Sequence, residues 1–229
     1  MVTKKEYDAL KERLRTLEGR VGVLEDKNGV LEKVAENLRK EVTRLEKRVD
    51  DLDQYGRRSN IILRNIEVKP NENQQAIETQ VKNIVEKELK LPNAAKDIDK
   101  LHRLGKKKEH EGKTYQNVIV RFRSHRQRYA VYKERSKLQH GVKMNPNLTK
   151  KRGTMLYKSS KLVENVQGVD FTFANIHGDL CVRLTAEYEG RNVWTFQSLG
   201  ELKKLLGDRN IQIPDDVENE GGAEEDAES

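Results

Sequence analysis

The chain has 229 residues, of which 34 % are hydrophobic, a low share for one globular domain of this length. Its single cysteine, Cys181, excludes an intramolecular disulfide and favours a reducing compartment. No apolar run approaches the roughly 18 residues that a membrane-spanning helix needs, and the N-terminus lacks the pattern of a signal peptide.

The net charge of +7 is unevenly distributed along the chain. Residues 1–53 contain 13 basic and 13 acidic side chains, whereas residues 215–229 contain eight acidic side chains and no basic one. The intervening residues 54–214 carry 32 basic against 17 acidic side chains. Such an excess is typical of nucleic-acid binding, although a merely soluble basic domain has the same composition.

Residues 7–53 carry an uninterrupted heptad repeat with leucine at every d position. The d residues are Leu10, Leu17, Leu24, Leu31, Leu38, Leu45 and Leu52, and the a residues are Leu14, Val21, Asn28, Ala35, Val42 and Val49. A repeat of 3.5 residues per turn keeps one seam of a helix facing a partner helix. The pattern therefore predicts a coiled coil, and the chain is expected to self-associate.

The number of partner helices is predicted less directly. Valine at a with leucine at d favours a parallel dimer, and so does a buried Asn28. Two consecutive segments favour a trimer, because each places an arginine at g (Arg13 or Arg20) and a glutamate at the next e (Glu18 or Glu25) around an apolar a and d pair. This spacing resembles a trimerisation motif of short coiled coils. We favour a parallel homotrimer, with a dimer as the alternative.

After the coiled coil, hydrophobic periodicity predicts the order β-α-β-β-α-β. The strands are predicted at residues 61–66, 98–104, 116–122 and 141–144, and the helices at 76–91 and 124–138. Residues 105–113 are expected to form a charged, mobile loop. This order is the split βαβ pattern of ferredoxin-like folds and RNA-recognition motifs. Val118, Val120 and Phe122 are expected to face the helices, with Ile119, Arg121 and Arg123 on the uncovered side.

A second small unit is predicted in the order α-β-β-β-α. Thr149 would cap a helix over residues 150–166, strands would follow at 169–174, 180–185 and 191–196, and Ser198 would cap a last helix ending at Gly207. The predicted fold class is α+β: a long N-terminal coiled-coil helix, a ferredoxin-like RNA-recognition motif and a small α/β C-terminal domain. The predicted boundaries are 1–55 for the coiled coil, 56–145 and 146–210 for the two domains, and 211–229 for a disordered acidic tail.

The sequence contains no recognisable catalytic constellation. Its five histidines show no metal-ligand spacing, and one cysteine excludes a thiolate zinc site. Cys181 lies in an apolar strand and is expected to be a small buried hydrophobe. We therefore predict no metal, no cofactor and no enzymatic activity.

The residues that remain for function are basic. They form clusters at the end of the coiled coil, around the second and third strands, and at the join of the two domains: Arg57, Arg58, Arg103, Lys106, Lys107, Arg121, Arg123, Lys143, Lys150, Lys151 and Arg152. Such clusters can neutralise phosphates and release counterions, which gives salt-dependent binding without sequence choice. The alternative for each cluster is a solvated face with no partner.

RNA-recognition motifs stack bases on aromatic residues of their two central strands. In this chain the corresponding positions hold Ile62, Arg64, Ile119 and Arg121. Base stacking there is expected to be weak, so binding should depend on the backbone and tolerate many sequences. Tyr55, at the end of the coiled coil, is the one aromatic residue placed to contribute.

Four segments in this order resemble the first-open-reading-frame proteins of LINE-type non-LTR retrotransposons. They read LDQYGRRSNI at residues 52–61, IDKLHRLG at 98–105, VIVRF at 118–122 and NPNLT at 145–149. The order of coiled coil, RNA-recognition-like domain and small C-terminal domain is also similar. The resemblance covers about residues 5–207.

This resemblance implies a parallel homotrimer that coats its own transcript and acts as a nucleic-acid chaperone. The implied location is a cytoplasmic ribonucleoprotein particle that can also reach the nucleus, and the implied ligands are RNA and single-stranded DNA. By position, Arg58, Asn60, Arg103 and Arg121 match RNA-contacting places. Lys143 stands where an arginine is expected, and lysine lacks the bidentate fork of a guanidinium.

Two functions follow as alternatives. The first is a sequence-tolerant RNA and single-stranded nucleic-acid binding protein that packages retrotransposon RNA. The second is a structural coiled-coil adaptor whose basic region binds protein partners. Salt-sensitive RNA binding that depends on Arg58 and Arg121 would separate the two.

Overall fold

The structure, a computed structural model, describes residues 4–213. Most of the predicted acidic tail, residues 214–229, lies outside this range. The helices are α1 (Lys4–Gly56), α2 (Gln74–Asn83), α3 (Pro92–Lys96), α4 (His125–Lys133), α5 (Lys150–Leu162) and α6 (Leu199–Gly207). The strands are β1 (Asn60–Glu67), β2 (Ile98–His110), β3 (Lys113–Phe122), β4 (Lys143–Pro146), β5 (Val169–Ala174), β6 (Leu180–Tyr188) and β7 (Arg191–Phe196).

The chain divides into two compact units, Met1–Asp51 and Leu52–Ser229. All described residues of the first unit belong to α1, as the heptad repeat predicts. The seven d-position leucines are between 45 % and 63 % exposed, and Asn28 is exposed as well. The apolar seam is therefore uncovered within a single chain.

The described part of the second unit, residues 52–213, contains two antiparallel sheets, which confirms the predicted α+β class. The first sheet has the strand order β2-β3-β1-β4, with every neighbouring pair antiparallel. Val118, Val120 and Phe122 are at most 1 % exposed and belong to the core under α2 and α4, as predicted. Ile61 and Leu63 of β1 and Leu101 of β2 complete this core from the neighbouring strands.

The prediction of a loop at residues 105–113 is wrong. β2 runs on to His110 and pairs with β3 as far as His110 opposite Lys113. The turn between them is formed by Glu111 and Gly112, whose φ angles of 52° and 71° are both left-handed. A two-residue turn of this kind suits the twist of a hairpin. Sequence periodicity misses it because residues 105–111 are exposed on both sides.

The first helical region also departs from its prediction. α2 ends at Asn83 and continues as one π-helical turn, Ile84–Glu88. Pro92 then occupies the first turn of α3, where its missing N–H costs nothing. Ile77, Val81 and Val85 are buried against the sheet, so the apolar periodicity predicts the correct face.

The second sheet has the order β5-β6-β7 and packs with α5 and α6 around its own core. β5 and β7 have the predicted bounds, and β6 is three residues longer than predicted. Thr149 and Ser198 cap their helices through the side-chain oxygen, as predicted. Ile211, which the prediction assigned to the tail, is buried in this core. Cys181 is 2 % exposed, and burial raises the pKa of its thiol.

The end of α1 is tied to the segment between the two sheets by Gln54, which is only 4 % exposed. Its side-chain amide nitrogen donates a hydrogen bond of 3.0 Å to the carbonyl oxygen of Asn147. Its side-chain oxygen accepts a hydrogen bond of 3.0 Å from the backbone N–H of Thr149. The first and last of the four segments that carry the family resemblance are therefore in contact.

A buried arginine joins the two sheets. The side chain of Arg128 on α4 donates from Nε to the carbonyl oxygen of Asn60 at 3.3 Å and from Nη1 to that of Ile176 at 2.6 Å. Ile176 lies in the turn between β5 and β6. Arg128 is 1 % exposed, and burial lowers its pKa to about 10, so it is still charged at neutral pH. Two carbonyl oxygens compensate part of the cost of burying this charge.

Candidate nucleic-acid interface

One side of the four-stranded sheet packs against α2 and α4, and the residues on the opposite side are half-buried or exposed. Directly opposed residues of neighbouring strands share a side, so the register identifies its members. Arg121 lies opposite Lys100 and Asn60, Ile119 lies opposite His102 and Ile62, and Asn117 lies opposite Leu104. On β4, Asn145 lies opposite Ile62 and Lys143 opposite Arg64. We call this set the open face: Asn60, Ile62, Arg64, Lys100, His102, Leu104, Asn117, Ile119, Arg121, Lys143 and Asn145.

The open face is basic. Arg64, Lys100, Arg121 and Lys143 are exposed on four different strands, with an exposed His102 beside them. Arg64 and Lys143 are directly opposed, and like charges in such a position repel each other. A bound anion would relieve this repulsion, which makes the pair a suitable place for a phosphate.

Arg121 has one acidic neighbour. Its Nε lies 3.5 Å from a carboxylate oxygen of Asp99, and the arginine side chain is 63 % exposed. An exposed pair of this kind contributes roughly 0–1 kcal/mol. Arg121 can therefore exchange the carboxylate for a phosphate at little cost.

The other side chains of the open face are short amides and aliphatic groups. Asn60, Asn117 and Asn145 are half-buried and offer both donors and acceptors. Ile62 and Ile119 lie between them on the two central strands, where an RNA-recognition motif would present aromatic rings. The face can hold a phosphate backbone and make apolar contacts, but it offers little surface for stacking.

The sequence prediction missed Lys100 and His102 on this face. The pairing of β2 with β3 is irregular between Ile98 and Lys100, because Asp99 is an extra residue in the ladder. A single extra residue moves the following side chains to the other side of a strand. Simple alternation counted from Ile98 therefore places these two residues incorrectly.

Arg103 has a different environment from the other predicted site residues. It lies opposite the buried Val118, on the helix-covered side, and its side chain is 12 % exposed. It pairs with Glu72 at 2.7 Å and donates to the carbonyl oxygens of Ile66 and Glu67 at 2.9 Å and 2.8 Å. Because these bonds engage the guanidinium group, Arg103 stabilises the fold, and we exclude it from the candidate interface.

Glu72 is the acidic half of this pair, and its side chain is 6 % exposed. Burial alone would raise the pKa of the Glu72 carboxyl. The hydrogen bonds and the positive charge of Arg103 outweigh burial and hold this pKa below its usual range. The pair is therefore ionised at neutral pH and fastens the loop before α2 to the edge of the sheet.

Arg57 and Arg58 follow α1 in one 3-10 turn but have different environments. Arg57 is half-buried, forms two hydrogen bonds to Asp53, and donates from Nη1 to the carbonyl oxygen of Leu148 at 3.3 Å. Arg58 is exposed, and its guanidinium carbon lies 3.8 Å from the ring centroid of Tyr55. Of the two, Arg58 is the one available to an external phosphate.

Three further predicted residues are exposed. Lys106 and Lys107 lie on the outer part of β2, beyond the open face, and Arg123 directly follows β3. Arg123 lies at one end of the β2–β3 ladder, and Lys106 and Lys107 lie towards the other end.

The predicted cluster at the join of the two sheets is divided as well. Lys150 and Lys151 are exposed on the first turn of α5, where they line an open groove of about 500 Å³ with Thr154, Met155 and Lys158. Arg152 instead points to the turn between β5 and β6. It donates to the carbonyl oxygen of Gly178 at 3.1 Å and lies 3.6 Å from Asp179. Its side chain is 16 % exposed, so its role is structural.

Within residues 4–213, no group of three or more histidine, cysteine, aspartate or glutamate side chains could hold a metal ion. No helix in the same range is long and apolar enough to cross a membrane. The chain matched no known protein-family model and no curated protein.

Proposed function

We propose that this chain is a sequence-tolerant binding protein for RNA and single-stranded DNA, and that the open face is its main contact surface. The observation that carries the proposal is the presence of four exposed basic residues from four strands on the side opposite α2 and α4. Their phosphate contacts are independent of base identity. The strand order and the two helices on one side support a ferredoxin-like fold of the RNA-recognition type.

The uncovered leucine seam of α1 supports the second part of the proposal, a parallel homo-oligomer. A trimer is favoured by the Arg13–Glu18 and Arg20–Glu25 spacings, and a dimer is the alternative. Joining several basic surfaces raises their effective concentration along one strand, so individually weak contacts add through avidity. Binding of this kind is strong in total but exchanges rapidly at each contact.

Such exchange suits a nucleic-acid chaperone, which promotes annealing and strand exchange without ATP. The resemblance of residues 52–61, 98–105, 118–122 and 145–149 to LINE-type proteins supports packaging of a retrotransposon transcript as the biological role. Hydrogen bonds from Gln54 to Asn147 and from Thr149 to Gln54 join two of these segments. We propose cytoplasmic ribonucleoprotein particles as the location.

The test is a titration of the full chain with unstructured RNA at low and at moderate salt, with the mass measured by light scattering on the same sample. We expect affinity to fall steeply with salt, and the mass to be a multiple of 26.5 kDa. An oligomer that does not bind RNA at low salt would contradict the proposal and would favour the alternative function, a coiled-coil adaptor. Annealing of complementary strands in the absence of ATP then tests the chaperone activity.

A further inference from the structure

Two histidines from different parts of the second unit face each other at the junction of its two sheets. His125 is the first residue of α4, and His177 lies in the turn between β5 and β6. Their ring centroids are 6.3 Å apart, and the ring planes are inclined by 21°. His125 is half-buried and His177 is exposed, so the space beside the rings is open to solvent.

We propose that these imidazoles form a slot for one unpaired nucleobase of a bound single strand. This inference depends on the proposed function and assigns a base-contacting site to it. A planar ring between two others needs about 7 Å, since each contact takes about 3.5 Å. The distance between the two ring centroids, 6.3 Å, is within 1 Å of that value. A small rotation of the exposed His177 side chain is therefore enough to admit a base.

The support on the His177 side is rigid. The backbone N–H of His177 and that of Asp179 both donate to the side-chain oxygen of Asn175, at 2.8 Å and 3.0 Å. Arg128 holds the carbonyl oxygen of Ile176, and Arg152 holds that of Gly178. None of these bonds uses the imidazole of His177, which remains available for a ligand.

The support on the His125 side is equally well defined. Ser124 caps α4 by accepting a hydrogen bond from the backbone N–H of Arg126 at 3.1 Å, and Asp97 binds the N–H of Ser124 at 2.8 Å. Arg128 lies one turn further on in the same helix and contacts the other half of the slot through Ile176. One buried side chain thus links the two backbone segments that carry the imidazoles.

The charges around the slot suit an anionic strand. The groups that act on His125 are the cations Arg128 and Arg58 and the neighbouring His177. Burial, with these positive charges, lowers the pKa of His125, so its ring is neutral at physiological pH. On the other side, the carboxylate of Asp179 lies 3.6 Å from Arg152 and accepts a hydrogen bond from Asn175 at 3.0 Å. A neutral ring can stack on a base, while Arg58 is available to the adjacent phosphate.

The slot supplies the stacking surface for a base that the open face lacks. Ile62 and Ile119 replace the stacking aromatics of the central strands, whereas His125 and His177 present two ring faces to a single base. Stacking on a ring face tolerates every base, because each base has a π-face. The slot therefore adds affinity without adding sequence preference.

The experiment compares a short oligouridine with a strand of the same length that has no bases. Binding is measured at about pH 8, where ordinary histidines are neutral. We expect His177→Ala to weaken oligouridine binding about fivefold or more and to leave binding of the abasic strand unchanged. His177→Phe should restore the oligouridine affinity, because it keeps a ring face and has no charge. His110→Ala, an exposed histidine of the β2–β3 hairpin, is the matched control.

Equal oligouridine affinities for wild type and His177→Ala would overturn the slot. A loss that appears equally with the abasic strand, or that phenylalanine does not restore, would also overturn it. In these cases the proposed RNA binding itself survives. Failure of the wild-type chain to bind either strand would overturn both the slot and the proposed function. Thermal unfolding of each variant verifies that the fold is intact.

Discussion

The side-chain amide of Gln54 lies directly against Gly178. A Cβ atom at position 178 would be 2.6 Å from Cδ of Gln54, and the φ angle of Gly178 is +86°. Gln54 cannot easily move away, because both ends of its amide are hydrogen-bonded to the segment between the sheets. The end of α1 and the turn between β5 and β6 therefore fit together only through glycine.

We expect Gly178→Ala to lower the free energy of unfolding by about 3 kcal/mol. A left-handed conformation costs alanine roughly 1–2 kcal/mol, and the overlap with Gln54 adds to it. The control is Gly190→Ala, which has a φ angle of +72° but open space around it, and which should cost only about 1 kcal/mol. Urea unfolding of both variants measures the difference, and equal losses would contradict this packing.

Arg103 should behave as a structural residue. Arg103→Ala leaves Glu72 buried without its partner, and breaking a buried pair costs about 3–5 kcal/mol. We expect a large fall in stability for this variant, whereas Arg121→Ala should leave stability within about 0.5 kcal/mol of wild type. Thermal or urea unfolding compares the two. A stable Arg103→Ala variant with reduced RNA affinity would contradict this structural role and would show that Arg103 belongs to the RNA-binding interface.

The same pair predicts how stability depends on pH. The folded-state pKa of Glu72 is lower than the ordinary pKa of a glutamate, so its contribution to stability is fully present above that ordinary pKa. The contribution is lost as pH falls through the depressed folded-state pKa. Glu72→Gln should therefore be less stable than wild type at pH 7, and the difference should shrink under acid conditions. A difference that is constant with pH would show that the carboxylate charge is not responsible.

The seam of α1 predicts the effect of a buried charge on assembly. Leu38 occupies a d position and is 60 % exposed in the single chain. Leu38→Asp would place a carboxylate at every copy of this position in a coiled coil, so we expect light scattering to give a mass near 26.5 kDa. Glu36→Asp, an exposed change on the same helix, is the control. An unchanged mass for Leu38→Asp would contradict assembly through this seam.

Much of the fold follows from local patterns. The leucine heptads predict α1, the alternation of Val118, Val120 and Phe122 predicts the buried side of β3, and the capping residues Thr149 and Ser198 predict the starts of α5 and α6. Each of these signals is carried by residues close together in the chain. The β2–β3 hairpin was missed because its outer part has no buried side and hence no alternation.

The site was less predictable because its decisive contacts are long-range. Arg103 and Arg121 each lie in a strand and are not distinguished by the local sequence. Arg103 is structural because it pairs with Glu72, which lies 31 residues earlier in the chain, whereas Arg121 is exposed. Arg57 and Arg58 are adjacent but have different partners. The facing of His125 and His177 depends on how the two sheets meet, which no local pattern records.

The salt dependence of RNA binding tests most directly whether the open face is the surface that binds RNA. The measurement compares wild type with the triple variant Arg64→Ala, Arg121→Ala and Lys143→Ala over a range of salt concentrations. Each lost phosphate contact should reduce the slope of log affinity against log salt by about 0.7 for a single strand, so we expect a reduction of about 2. Lys87→Ala, an exposed lysine in the helical region that covers the opposite side of the sheet, should leave the slope unchanged. A triple variant with the wild-type slope and affinity would contradict RNA binding on this face.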